Sequence, residues 1–210
     1  MFRKILVISL LFIATVGCTF GVVRITKDNF KNSHTVNLKL ALKAEESVLG
    51  TLIDTPFTKY RVEMDFTREI SPDKLVPTIG RVTVFAATNN AGIERSGFLK
   101  IGEKTISLAF GNSSTQSVTT VTTTNATNTQ GANNSNSSFG SNNGVRTSSS
   151  TYLKLNSSFL LKKEDEDEIL KSNGFTIRLY SGAEPITVVI AEDDLDKFKE
   201  YLNAKPEAGN

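Results

Sequence analysis

The sequence predicts an α+β fold: mainly antiparallel β-sheet, about eight strands, with one or two helices, the last at the C-terminus. Three observations predict it. Apolar and polar residues alternate through most of the chain, which is the period of a sheet with one buried and one wet face. The two stretches with helical spacing both come late. A long Ser/Thr/Asn-rich tract lies between two strand-like segments, so it interrupts one domain and does not link two.

The elements follow in order. VVRIT, from Val22, is a candidate first strand. In TVNLKLAL, Val36, Leu38, Leu40 and Leu42 share one side. In KYRVEMDF, Tyr60, Val62, Met64 and Phe66 alternate with Lys59, Arg61, Glu63 and Asp65. RVTVFAA, GFLKI and KTISLAF come next, separated by the turn-rich TNNAG and by Gly102-Glu103. Spacing assigns Tyr60, Phe66 and Phe98 to the core. TYLKL, FTIRLY and PITVVI complete the strands, and Ser181 to Pro185 reads as a hairpin turn. The first helix is LLKKEDEDEILKSNG, with acids early, Lys171 late and Gly174 as the stop, in accord with the helix dipole and the glycine preference after a helix end. The second is EDDLDKFKEYLNAK. Leu195, Phe198 and Leu202 form one apolar stripe, Asp193 or Asp194 is the expected cap, and Pro206 ends it.

From Gly111 to Thr151 nearly every residue is Ser, Thr, Asn, Gln or Gly. Such a tract buries too little apolar surface to offset the entropy of ordering, so a disordered low-complexity loop is expected over about 111–151. Its β-branched TTVTTTNAT part leaves room for transient strand pairing. Growing a loop from about 5 to about 40 residues is three doublings at about 0.6 kcal/mol each. A domain of ordinary stability tolerates a total near 2 kcal/mol. The N-x-S/T triplets at Asn112, Asn125, Asn133 and Asn136 follow from this composition. Without the leader and the tract about 150 residues remain, enough for one domain over 18–210.

The chain opens MFRKILVISLLFIATVGC. Arg3 and Lys4 precede an apolar run of about a dozen residues, about 18 Å as a helix. A spanning helix needs roughly 20 residues, so the run is short for a membrane span and fits a signal peptide over 1–17. Ala14-Thr15-Val16-Gly17-Cys18 then places a small residue before the only cysteine in the chain. This resembles the lipobox of bacterial lipoprotein precursors. Thr15 stands where Leu is usual in that family, and relaxed boxes of this kind resemble those of spirochaete lipoproteins. The resemblance covers residues 1–18 alone. It implies diacylglycerol on the Cys18 thiol, cleavage before Cys18, and acylation of the new amine, by palmitate for example. Physical chemistry agrees with that modification. A lone cysteine in an exported chain has no partner, and two or more acyl chains, at about 0.8 kcal/mol per buried CH₂, make a stable anchor. An ordinary cleavage site giving a secreted protein is the alternative.

The remaining chemistry is sparse. The 210 residues hold one His, one Cys and no Trp. Lys and Arg number 24 against 22 acids, and loss of Arg3 and Lys4 with the leader brings the net charge to zero. That excludes a basic face for nucleic acid. One cysteine excludes a disulfide framework or a cysteine zinc site. His34 sits at a strand entry with no metal or nucleophile motif around it. The run Glu164 to Glu168 lacks the glycine and spacing of a calcium loop and reads as a solvated helix start. Asp193, Asp194 and Asp196 read as capping and dipole residues. Arg178 lies opposite the buried face of its strand, suited to an anion or partner contact or to a cross-strand salt bridge. No glycine-rich phosphate loop occurs.

The reading is a non-enzymatic lipoprotein, anchored through Cys18 to a bacterial membrane on its periplasmic or outer face. It has no catalytic residue, metal or cofactor, no evident small-molecule substrate, and an unknown protein partner. The alternatives are a hydrolase that works with carboxylates alone and a secretion or assembly accessory protein acting by strand addition.

Overall fold

The computed structural model describes residues 20–31, 33–45, 60–71, 74–125 and 145–206. The expected signal peptide, Cys18 and residues 126–144 of the low-complexity tract lie outside them. The described strands are β1 (Arg24–Asp28), β2 (Ser33–Lys43), β3 (Arg61–Ser71), β4 (Lys74–Leu75), β5 (Thr78–Ala86), β6 (Ser96–Ile101), β7 (Lys104–Ala109), β8 (Ser114–Asn125), β9 (Val145–Leu161), β10 (Gly174–Ser181) and β11 (Glu184–Ala191). The helices are α1 (Lys163–Lys171) and α2 (Glu192–Asn203). The expected α+β class, with antiparallel strands dominant and the last helix at the C-terminus, is what the chain adopts.

The strands form two sheets. A seven-stranded sheet runs β1-β2-β3-β5-β9-β8, with β4 beside β3, and a four-stranded sheet runs β11-β10-β6-β7. Every pairing is antiparallel. Alternation decides which side of each strand is inside. Val36, Leu38, Leu40 and Leu42 of β2, Val62, Met64 and Phe66 of β3, and Leu155, Phe159 and Leu161 of β9 all lie in the core. Phe175, Ile177 and Leu179 of β10 face them from the smaller sheet. Two tight hairpins order that sheet. Gly102 and Gly182 open two-residue loops with φ of +57° and +60°, the conformation that glycine adopts without steric cost.

The sheets meet at two seams. At one, Ala44 bridges Val188, and α2 lies across the junction with Leu195, Phe198, Tyr201 and Leu202 buried. The Phe198 ring centroid is 4.7 Å from that of Phe66 and 5.0 Å from that of Phe175. At the other, Phe110 bridges Phe159, and the Gly111 N–H donates to the Ser158 carbonyl at 2.7 Å. Beyond that point β7 and β9 separate. Gly80 lies between Phe66 and Phe159 in the ladder, and a Cβ there would fall 2.3 Å from the Phe159 ring. Glycine thus lets the two rings close over β5.

Three expectations are corrected. The flanks of the low-complexity tract are strands: β8 pairs with β9 from Ser114↔Asn156 to Asn125↔Val145. The expectation allowed the β-branched part of the tract only transient pairing. The inner half of β9 is already fixed by β5, so extending the ladder outward through β-branched residues costs less than forming a free hairpin. The acidic helix start is only partly solvated. Asp165 is 7% and Glu166 1% exposed. Glu166 accepts the Thr78 N–H at 3.2 Å and lies 3.9 Å from Arg68, which itself donates to the Tyr201 and Leu202 carbonyls at the end of α2. Neither Asp193 nor Asp194 caps α2. The helix follows β11 directly, with Ala191 at the cap position, no side-chain bond there, and Glu192 at φ +50° making the turn.

Candidate functional site

Two surface features can bind something. The first is the outer face of the four-stranded sheet. Alternation in β10 turns Phe175, Ile177 and Leu179 inward, which leaves Thr176, Arg178 and Tyr180 outside. On β6, Gly97, Leu99 and Ile101 are inside and Phe98 and Lys100 outside. Register sets Phe98 opposite Arg178, and Lys100 opposite both Thr176 and Thr105. These six side chains line a shallow depression of about 340 Å³.

Arg178 is held in place. Its Nε donates to the Oγ1 of buried Thr187, its cross-strand partner, at 2.9 Å. That fixes the plane of the guanidinium and leaves its terminal nitrogens for an acceptor. Neither Arg178 nor Lys100 forms an ion pair with the described residues, and no carboxylate lines the depression. Of the sequence expectations for Arg178, the opposite-face position holds. The cross-strand contact is a hydrogen bond to a hydroxyl and not a salt bridge. Phe98 is 40% exposed and sits edge-on to Tyr180 at 6.4 Å, so its assignment to the core is corrected. GFLKI has apolar residues at both parities, and packing chooses between them. Phe98 shares its side with Ser96 and Lys100, and the Gly97, Leu99 and Ile101 side is the buried one; a Cβ on Gly97 would lie 2.4 Å from the Arg178 carbonyl oxygen.

The second feature is a groove of about 760 Å³ where β7 and β9 diverge. Leu160, 56% exposed, and its cross-strand neighbour Ile79 form its floor, with Pro77 beside them. Residues 106–109 of β7, Lys162 and Asp165 also line it.

The other sequence candidates do not join either feature. His34 lies in β2 opposite Lys27 and Ile70, partly exposed. Tyr60 is half-buried, and its hydroxyl accepts from Asn90 Nδ2 at 2.8 Å. Burial, then Glu184, pushes its phenol up to about 12. Within the acidic run, Glu168 pairs with Lys104 at 2.6 Å and Asp167 with Lys163 at 3.0 Å, which pushes both lysines up. Among the described residues no three His, Cys, Asp or Glu side chains gather as a metal site, and no helix is long and apolar enough to cross a membrane.

What fold and surface define is an all-antiparallel two-sheet protein with late helices, offering a cationic, aromatic sheet face and an open strand edge. No protein-family model, no curated protein and no solved structure matches the chain.

Proposed function

We propose that this chain is a non-enzymatic, lipid-anchored cell-envelope protein that meets an anionic protein partner through the outer face of its four-stranded sheet. The observation that carries the binding half is Arg178, pinned by Thr187 with its terminal nitrogens uncommitted, beside Lys100 and exposed Phe98. Fixing a guanidinium beforehand reduces what binding must order, and a hydrogen bond to a charged group contributes about 1.5–3 kcal/mol. Arg and Tyr are the residues from which interface hot spots are made. The anchor half rests on Cys18, the one cysteine, at the end of the leader.

Phase separation in Triton X-114 tests the anchor. Native protein is expected in the detergent phase and the Cys18→Ala variant in the aqueous phase; native protein found wholly in the aqueous phase ends that claim. A Glu- and Phe-containing peptide titrated against the purified chain tests the face. Arg178→Ala is expected to weaken binding by about tenfold or more, equivalent to about 1.4 kcal/mol. Equal affinity for the variant would rule out this face.

A further inference from the structure

The segment that leads into β1 is fixed to the body without slack. The Gly21 N–H donates to the Lys39 carbonyl at 2.7 Å, and the Lys39 ammonium lies 4.9 Å over the Phe20 ring. β1 then forms one edge of the seven-stranded sheet, and Arg24, Ile25, Thr26 and Lys27 are all exposed. Among the described residues seven large apolar side chains are exposed, and three of them, Val22, Ile25 and Phe30, fall within nine residues here. Phe30 is wholly open, at 103%, in the turn between β1 and β2. The Asp28 carboxylate holds that turn, accepting the Phe30 N–H at 2.9 Å and the Lys31 N–H at 3.2 Å. Arg24, Lys27 and Lys31 are interleaved with the three apolar residues, and none forms an ion pair with the described residues.

We infer that β1 and its turn lie along the bilayer surface, with Val22, Ile25 and Phe30 entering the interface and Arg24, Lys27 and Lys31 meeting anionic lipid headgroups. The inference rests on the Cys18 anchor proposed above and adds to it the face that the body turns to the membrane. Chain length names the occupant. Phe20 is two residues on from Cys18, a reach of at most about 7 Å. Because Phe20 and Gly21 are fixed against β2, a bilayer that holds Cys18 lies at the start of this edge. Were β1 to stand upright on the membrane, the turn would be roughly 20 Å away, six residues from Val22 to Asp28 at about 3.4 Å each, and Phe30 would stay in water. Lying flat brings all three apolar side chains to the interface. Apolar residues interleaved with bases are the composition of a segment that rests in a headgroup layer, and an anionic leaflet attracts bases close to its surface. A second copy is opposed by charge, since residues 20–31 hold three bases and one acid.

The chain has no Trp, so one introduced indole reports one position. Phe30→Trp and, as the control, Phe98→Trp are made in the native protein, purified in detergent and reconstituted into vesicles of phosphatidylcholine and phosphatidylglycerol. Both side chains are exposed, so neither substitution disturbs the core. With brominated phosphatidylcholine in the bilayer, Phe30→Trp is expected to shift to the blue and to be quenched about twofold or more, and Phe98→Trp to stay as in water. Flotation of the vesicles reads the anchor separately. Protein that does not float with them removes the anchor and this inference with it. Protein that floats while Phe30→Trp stays unquenched overturns the inference and leaves the anchor standing. Equal quenching of the two reporters also overturns it, because the bilayer would then not distinguish this edge. Replacing phosphatidylglycerol by phosphatidylcholine is expected to lower Phe30→Trp quenching by about twofold; unchanged quenching overturns the part assigned to the three bases. A blue shift that appears only at a high ratio of chain to lipid would mean that a second copy covers Phe30, and the bilayer would be the wrong occupant.

Discussion

The two seams between the sheets begin alike and end differently. Each starts from a single bridge, Ala44↔Val188 at one and Phe110↔Phe159 at the other. At the first, the chain that leaves β11 returns as α2 and drops Phe198 and Tyr201 onto Phe66. At the second, the chain that leaves β7 runs on into β8 and away from the body, and nothing among the described residues lies over Leu160 and the β7 edge. The first seam has become core and the second has stayed surface. A sheet edge joined by one bridge is finished only by what covers it next.

Substitutions at the two seams separate these states most sharply. Phe198→Ala is expected to cost about 3–5 kcal/mol through lost burial and the cavity left behind. For a body of this size that is a fall in Tm of the order of 10 °C, read by calorimetry. Leu160→Ala should stay within about 0.5 kcal/mol of the parent chain. If both variants lose comparable stability, the second seam is closed and the contrast fails.

A smaller effect is expected at the vertex of the open seam. Gly97→Ala puts a Cβ 2.4 Å from the Arg178 carbonyl oxygen and 2.6 Å from the Phe110 ring. Relieving those contacts should cost about 1–3 kcal/mol, measured as a lower urea midpoint with an unchanged slope. A neutral result would mean that β6 and β10 can separate freely, and that the vertex is soft.

The smallest effect is one of pH, confined to the closed seam. Tyr60 accepts the Ala44 N–H through its carbonyl at 2.9 Å, and its phenol is pushed up to about 12, chiefly by burial. Tyr201, packed beneath Arg68, is also pushed up by burial. Both groups bind their protons more tightly folded than unfolded, where a tyrosine titrates near about 10. Their contribution is therefore complete below about pH 10 and is lost as pH rises above it, for Tyr60 toward about 12. Tyr60→Phe should flatten the alkaline fall in Tm between those values. An unchanged alkaline profile would remove Tyr60 from the closed seam's energetics.

Much of this was legible in the chain, for a local reason. TVNLKLAL, KYRVEMDF and FTIRLY each show which side is wet within a few residues, because a strand's period is two. The stripe Leu195, Phe198 and Leu202 marks α2 in the same way. Legibility fails at Phe98, an aromatic ring on the side that Ser96 and Lys100 mark as wet. It fails again in the acidic run, where Glu166 is drawn inside by Arg68 and the Thr78 N–H, partners that its own helix cannot reveal.

The sequence by itself therefore determined most of the strands, the late helices and the apolar run before the lone Cys18, since each is written in adjacent residues. Only the tertiary structure decided that Ser114–Asn125 is a strand, that Arg178 is pinned beside an exposed ring, and that the β7 edge has no partner strand among the described residues. Each of those depends on which distant segments come to lie side by side, and neighbours in space are not encoded by the spacing of neighbours in the chain.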